Sequence, residues 1–302
     1  MDCVRTKCQR LRLLLQQRSA PRRIVCRCAS GIPTAARQRS QSDTPVELLS
    51  QWASAWETVD TLEELVKPMD LRQFMNTVFE EDWLLAPHSS DKQRRGTARW
   101  VTSLLRPHDL SDILLRTSLG DTPAVPTILQ HLQLVRRAAA PGELEYRHVQ
   151  SPASVQEEVH SAFIDGFSLS IHGLEQFHDT AFKLSVSLSR QLGIPVQLSA
   201  HLTPPGGHTA SGLSAVPCSS MVLQMHGSRS WRVSGTRLWD APAEDLPAAE
   251  PPGGSSAVTL RPGDVLYLPS RLAHGPEAPA AAPSLHLAAS LRQQPFTWAS
   301  LL

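Results

Sequence analysis

Six short apolar segments separated by Gly and Pro fill the last third of the chain: Val196 to Leu202, Ser220 to Met225, Ser230 to Ser234, Ala257 to Leu260, Asp264 to Leu268 and Ser284 to Leu291. Each is too short to stand as a helix, and turn residues punctuate the gaps, so they can bury their apolar faces only by pairing into a barrel or sandwich. His226-Gly227-Ser228 is expected to be a hairpin turn between two of these strands, and Arg261-Pro-Gly-Asp264 a second turn. Pro251, Pro252, Gly253 and Gly254 mark a loop. The alternation in Phe167-Ser-Leu-Ser-Ile171 predicts a half-buried strand, ended by His172-Gly173, and Gln176 to Leu192 a helix closed by Gly193.

Upstream the hydrophobic period lengthens. Val46, Leu48, Leu49, Trp52 and Trp56, then Leu62, Leu65 and Val66, recur at helical steps until Pro68 breaks the pattern. A second amphipathic helix is expected over Leu71 to Leu85, with Phe74, Val78, Phe79 and Trp83 on one face and Pro87 as its stop. From Trp100 to Leu134 short apolar segments lie between Pro107, Pro123 and Pro126, and helix with loop is expected there. The expected organisation is a leader over residues 1–43, a helical annex over 44–160 and a β-rich domain over 161–302.

The leader has its own chemistry. No acidic residue occurs from Val4 to Ser42, while Arg5, Lys7, Arg10, Arg12, Arg18, Arg22, Arg23, Arg27, Arg37 and Arg39 recur among Ser, Ala, Gln and Leu. Such a stretch reads as an organelle transit peptide, chloroplast first and mitochondrion second, with a disordered basic tail as the alternative. Four of the five cysteines, Cys3, Cys8, Cys26 and Cys28, lie in it, and Cys26-Arg-Cys28 has no second pair to complete a zinc site. Cys218 alone remains for the rest, so no internal disulfide is expected there.

Composition narrows the function classes. With 29 basic and 28 acidic residues the net charge is +1, so no global field draws the folded part to nucleic acid. No stretch reaches the roughly 18–20 consecutive apolar residues a membrane-spanning helix needs. At 302 residues and 41% hydrophobic content, one sizeable core is expected.

Three ordered segments carry a resemblance. They are Phe74-x4-Phe79-x3-Trp83-x3-Pro87; then Gly166-Phe-Ser-Leu-Ser-Ile171 with Gly193-Ile-Pro195 and Ser199-Ala-His-Leu-Thr-Pro-Pro-Gly206; then Val222-Leu-Gln-Met-His-Gly227, Trp231-Arg232, Leu260-Arg-Pro-Gly-Asp-Val-Leu-Tyr-Leu-Pro269, His274 and Ser284-Leu-His-Leu287. Their order and spacing resemble the ribosomal-oxygenase branch of the JmjC and cupin proteins, over roughly residues 71 to 292. The resemblance implies a mainly β fold, a cupin/JmjC double-stranded β-helix with an N-terminal helical annex. It also implies a dioxygenase that uses Fe(II) and 2-oxoglutarate to hydroxylate protein side chains, with ribosomal protein as the family's substrate.

An iron(II) oxygenase of this type takes two His and one carboxylate on one face of the metal. The resemblance places His274 at the distal His and Arg229 at a family Lys that pairs with the 2-oxoglutarate carboxylate. Ser290, four residues after His286, matches a hydroxyl that bonds the same cosubstrate. The family's His-x-Asp falls on Ser214-Ala-Val216 and its Asn-x-Tyr on Ser199-Ala-His201, so one imidazole, the carboxylate and two cosubstrate contacts are replaced. His208-Thr-Ala210 lies several residues too early to substitute.

Plainer roles stand beside these: His274 as a strand end, Arg229 as a solvated hairpin residue, Ser290 as a satisfied strand hydroxyl. Asp165, Asp264 and Glu277 are carboxylates near the relevant segments, with Asp264 belonging to its turn. His201, His226 and His286 offer a third possibility, another metal; alternation puts His286 on the face opposite Leu285 and Leu287. The cofactors expected are therefore Fe(II) and 2-oxoglutarate, or none if the barrel is a degenerate binding or assembly module. A protein partner is expected in either case, ribosomal by analogy, with no membrane and no direct nucleic-acid contact from the folded domain.

Overall fold

In a computed structural model, the described residues are 61–120, 128–138, 143–207, 213–238, 254–276 and 282–292, all within the unit Trp52–Leu302. The Arg-rich leader, the helix expected from Val46 to Trp56, the Pro251–Gly253 part of the expected loop, His208 and Glu277 lie outside them. Helices α1 (Thr61–Val66), α2 (Leu71–Thr77), α3 (Arg95–Ser103), α4 (Pro107–Leu119), α5 (Val155–Ile164) and α6 (Asp179–Leu192) precede most of the strands. The strands are β1 (Leu84–Ala86), β2 (Leu132–Arg137), β3 (Leu144–Arg147), β4 (Ser168–His172), β5 (Val196–Thr203), β6 (Ser219–His226), β7 (Arg229–Arg237), β8 (Ser255–Leu260), β9 (Val265–Leu268), β10 (Leu272–Pro276) and β11 (Ser284–Leu291).

Two antiparallel sheets result. The larger runs β1-β9-β6-β11-β5-β4-β2-β3 and the smaller β10-β7-β8. Consecutive strands β6 and β7 belong to different sheets, as do β8 and β9. The His226-Gly227-Ser228 turn is therefore a corner between sheets rather than the hairpin its residues suggested, and Arg261–Asp264 is another corner. This winding between two facing sheets is the mainly β cupin barrel that was expected.

Alternation sorts the side chains of the large sheet into two faces. Leu198, Ala200, Met221, Leu223, Val265, Tyr267, Leu285 and Leu287 pack outward with the helices in one large core, which also takes Phe74, Val101, Ile113, Val159 and Leu188. A smaller cluster, Val222, Trp231, Val233, Leu260, Leu266, Leu268 and Leu272, fills part of the space between the sheets. Polar residues occupy the remaining inward positions: Ser170 and His172 on β4, Ser199, His201 and Thr203 on β5, Gln224 on β6, His286 on β11.

Several local expectations are corrected. The helix expected to reach Leu85 ends at Thr77; Glu80 turns to φ +60°, and Leu84–Ala86 instead pairs with β9. Tertiary bonds win over helical period here. The Tyr267 hydroxyl lies 2.9 Å from the Glu80 amide nitrogen, and the Ser270 hydroxyl donates to the Glu80 carboxylate at 3.0 Å, with Ser219 bonded to the same carboxylate. Strands β2, β3 and β10 were not expected either; β10 holds Gly275 and Pro276, which hide its pattern.

Gly227 makes the tightest corner. Its φ is +65°, and a Cβ there would lie 2.1 Å from the Pro283 carbonyl oxygen. Gly227→Ala is expected to lose about 2 kcal/mol of stability from left-handed strain and displacement of that backbone, seen as a lower urea midpoint; an unchanged midpoint would show that the corner relaxes freely.

Candidate functional site in the barrel

The inward face of the large sheet carries a column of imidazoles that the strand register builds. His201 on β5 is the Cα partner of Ser170 on β4 and of His286 on β11. Imidazoles 201 and 286 stack, with centroids 4.8 Å apart and planes at 16°, and His172 meets His201 edge-on at 6.0 Å. Hydroxyls pin the column: Ser170 Oγ lies 2.8 Å from His201 Nδ1, and Ser199 Oγ 3.1 Å from His172 Nδ1. Across the barrel, Trp231 on β7 presents its ring at 5.4 Å to His286 and 6.3 Å to His274.

Arg229 opens β7 and is 1% exposed, so the solvated hairpin role does not hold. It shares a face with Trp231 and Val233 and therefore points between the sheets, where its guanidinium donates to the Thr203 hydroxyl. Burial lowers its pKa to about 10, which leaves it cationic at neutral pH. The imidazoles beside it stay neutral. Burial, then the His172 and Arg229 charges, bring His201 down to about 3, and burial, then His201 and Arg229, hold His286 well below its ordinary value. Among the described residues, the buried Arg229 cation thus lies beside neutral imidazole rings.

Three buried polar atoms in this interior have no partner among the described residues: His286 Nδ1, Trp231 Nε1 and Gln224 Oε1. Gln224 is fixed in place by its amide nitrogen, which donates to the His226 and Gly227 carbonyls at 2.8 and 3.1 Å and lies 2.9 Å from the Ser284 hydroxyl. Buried polar atoms without partners cost free energy unless water or a ligand satisfies them. An indole N–H and an imidazole nitrogen on the same lumen as a guanidinium suit a carboxylate, so this part of the interior fits an organic anion.

Ser290 does not join this set. It pairs with Gln197 and Ser220, six residues along β11 from Ser284, which faces Thr203. At about 3.4 Å per residue that is roughly 20 Å along the strand, so Arg229 and Ser290 stand at opposite ends of the interior. Of the other histidines considered, His226 is exposed at the corner while His201 and His286 point inward, as the outward Leu285 and Leu287 require.

His274 lies inside β10, 8% exposed, rather than capping a strand end. Its Nδ1 sits 2.7 Å from the Leu272 carbonyl, which makes Nδ1 the donor and leaves the Nε2 lone pair for a ligand. Ser214 is its cross-strand partner, with Ser214 N to His274 O at 2.9 Å and His274 N to Ser214 O at 3.1 Å. Mutual bonds of this kind put both side chains on one face, and Val216 two residues on shares it. Leu213, Ala215 and Ala273 pack together on the opposite face.

Ser214, Val216 and His274, the positions at which the resemblance sets a facial triad, thus share one face. An iron(II) triad does not fit these residues, because a hydroxyl and an isopropyl group replace an imidazole and a hard anionic oxygen. No group of three His, Cys, Asp or Glu among the described residues could hold a metal ion. The Asp264 carboxylate accepts from the Ser89 and Arg261 amides, and Asp165 pairs with Arg147, so neither turns into the barrel.

A family profile for the JmjC domain matches residues 178–298, a stretch that contains His201, Ser214, Val216, Arg229, His274 and His286 but not Ser170 or His172. Over that stretch the chain is similar to the JmjC domain, and the curated relatives that match it are ribosomal oxygenases. Ribosomal oxygenase 1 of Homo sapiens is 30% identical over 152 residues, and that of Gallus gallus 29% over 145. The human match covers 47% of this chain and 23% of the human protein, so the chain spans about a quarter of the length of the curated relatives it matches. Among solved structures, Escherichia coli YcfD superposes with a TM-score of 0.51 at 17% identity, covering 76% of this chain and 54% of YcfD. A second YcfD structure, in complex with cobalt and 2-oxoglutarate, gives 0.50 at 16% identity, covering 76% and 53%. These superpositions establish that the chain shares their fold.

Proposed function

We propose that this chain is an oxygenase-like protein of the 2-oxoglutarate class, whose barrel binds the cosubstrate dicarboxylate through Arg229. The observation that carries this reading is the buried guanidinium beside neutral imidazoles, with Trp231 and His286 nitrogens that have no partner among the described residues. Arg229 keeps the charge of the Lys it replaces and adds a planar fork suited to a carboxylate. The kinship with ribosomal oxygenases, and YcfD's capture of cobalt and 2-oxoglutarate, support the same ligand and a protein, ribosomal in the first instance, as the substrate or partner. Hydroxylation of that partner is the family activity, and iron the cofactor it requires; the carboxylate for that metal is the part the described residues do not supply. The acid-free, Arg-rich leader supports delivery to a chloroplast, with the mitochondrion as second choice.

Calorimetric titration of the full chain with 2-oxoglutarate tests the anion site. Binding is expected for the natural chain, within about tenfold for Arg229→Lys, and weakened on the order of a hundredfold for Arg229→Met, which removes the charge but keeps much of the stem. Absence of binding to the folded natural chain, or equal binding by Arg229→Met, would overturn the reading.

A further inference from the structure

We infer that the barrel of this chain is a metal-independent anion site which nevertheless retains the backbone frame of a metal centre, so that two side chains separate it from metal binding. This deepens the cosubstrate reading above and rests on it only for the identity of the anion.

The frame is visible in three features. His274 and Ser214 exchange both backbone hydrogen bonds, at 2.9 and 3.1 Å, which fixes positions 214 and 274 side by side. The Val216 carbonyl accepts from the Arg271 amide at 2.9 Å, which holds position 216 against the same strand, on the same face as 214. The Leu272 carbonyl sets the His274 tautomer so that Nε2 is the free nitrogen. Strand alternation then aims positions 214, 216 and 274 at a common point between the sheets. What the frame lacks is donor chemistry, since a neutral hydroxyl and an apolar group leave one imidazole to hold a divalent ion.

The anion end is separate from this frame. Arg229 is anchored through Thr203 on β5, and the polar atoms seeking a partner belong to Trp231, His286 and Gln224, none of which occupies a triad position. The positive charge there is covalent to the chain, so its attraction for a carboxylate does not depend on a bound cation.

The test uses the full chain stripped with a chelator and titrated with Co(II) alone, followed by its visible absorption and by calorimetry. The natural chain and His274→Ala are expected to behave alike, within about twofold. The double variant Ser214→His with Val216→Asp is expected to gain at least about a hundredfold in Co(II) affinity, and a further His274→Ala to abolish that gain. Co(II) binding by the natural chain that His274→Ala removes would overturn the inference, whichever carboxylate supplied the site. So would a double variant with unchanged far-ultraviolet dichroism and no gain. If the double variant does not fold, the comparison of the natural chain with His274→Ala decides alone. Titration of the stripped natural chain with 2-oxoglutarate separates the two readings: binding without metal supports the inference, and no binding unless Co(II) is present overturns it. Failure with and without Co(II) would remove the cosubstrate reading while leaving the metal result to stand.

Discussion

Between pH 7 and pH 5 the melting temperature is expected to fall steeply, because the fold buries imidazoles that it cannot protonate in place. His201 is the clearest case. Its folded pKa is about 3, against an unfolded value near 6.5. Above pH 6.5 both states are neutral and the group is without effect. Below it the unfolded chain takes up a proton that the folded chain refuses, so stability is lost as pH falls, by up to about 1.4 kcal/mol per pH unit, until the folded group titrates. The groups facing His201 reinforce this: His172 from β4, His286 from β11 and the Arg229 cation from β7. His286 is lowered in the same direction by burial, His201 and Arg229. His88, fully buried with Nε2 3.2 Å from the Leu65 carbonyl and Nδ1 without a partner among the described residues, is lowered mainly by burial and adds a further, remote contribution. Thermal unfolding followed by near-ultraviolet dichroism at half-unit steps measures the slope, and His201→Gln should make it shallower. A flat profile from pH 7 to 5 would mean that the column opens to water and protonates in the folded state.

Phe74→Ala is expected to cost about 3–5 kcal/mol, the range for emptying a fully buried aromatic site. Phe74 is 0% exposed and meets Tyr267 of β9 edge-on at 5.0 Å and Phe79 at 6.0 Å. The same Tyr267 hydroxyl contacts the Glu80 amide, so the ring and the polar clamp tie α2 to the barrel at one place. Because the helices and the outer face of the sheet share one core, loss of Phe74 should lower a single urea transition rather than split it. A loss below about 1 kcal/mol, or an early separate transition for the helices, would show that α2 is an accessory to a barrel stable without it.

The strands that were legible in the sequence are those with one face in the outer core, such as β5, β6 and β11, where apolar residues alternate with polar ones. β1 and β10 were not, because three residues in one case and a Gly-Pro ending in the other give no period to detect. The β6–β7 corner was read as a hairpin because its residues allow a tight turn, and nothing local says that the next strand joins a different sheet. For the site, the resemblance set a His-x-Asp motif on Ser214-Ala-Val216 and a distal ligand on His274, and the pairing of Ser214 with His274 was not legible because it joins residues sixty positions apart. The resemblance also suggested that Arg229 and Ser290 hold one molecule, which the register of β11 against β5 does not permit in this arrangement. The imidazole column was only half visible: the inward direction of His286 followed from its leucine neighbours, but its stacking on His201 depends on a pairing between strands more than eighty residues apart.

The division of the large sheet into an apolar outer face and a polar inner one has an evolutionary corollary. The larger part of the apolar packing lies outside the barrel with the helices, and the smaller inner cluster does not include positions 214, 216 or 274. Substitutions at those positions are therefore expected to leave the apolar packing intact, so the side chains there can change while the scaffold stays the same. Sequence divergence in a lineage should concentrate in the lumen before it reaches the leucines behind it, so preserved scaffold residues in a homologue do not by themselves report preserved catalysis.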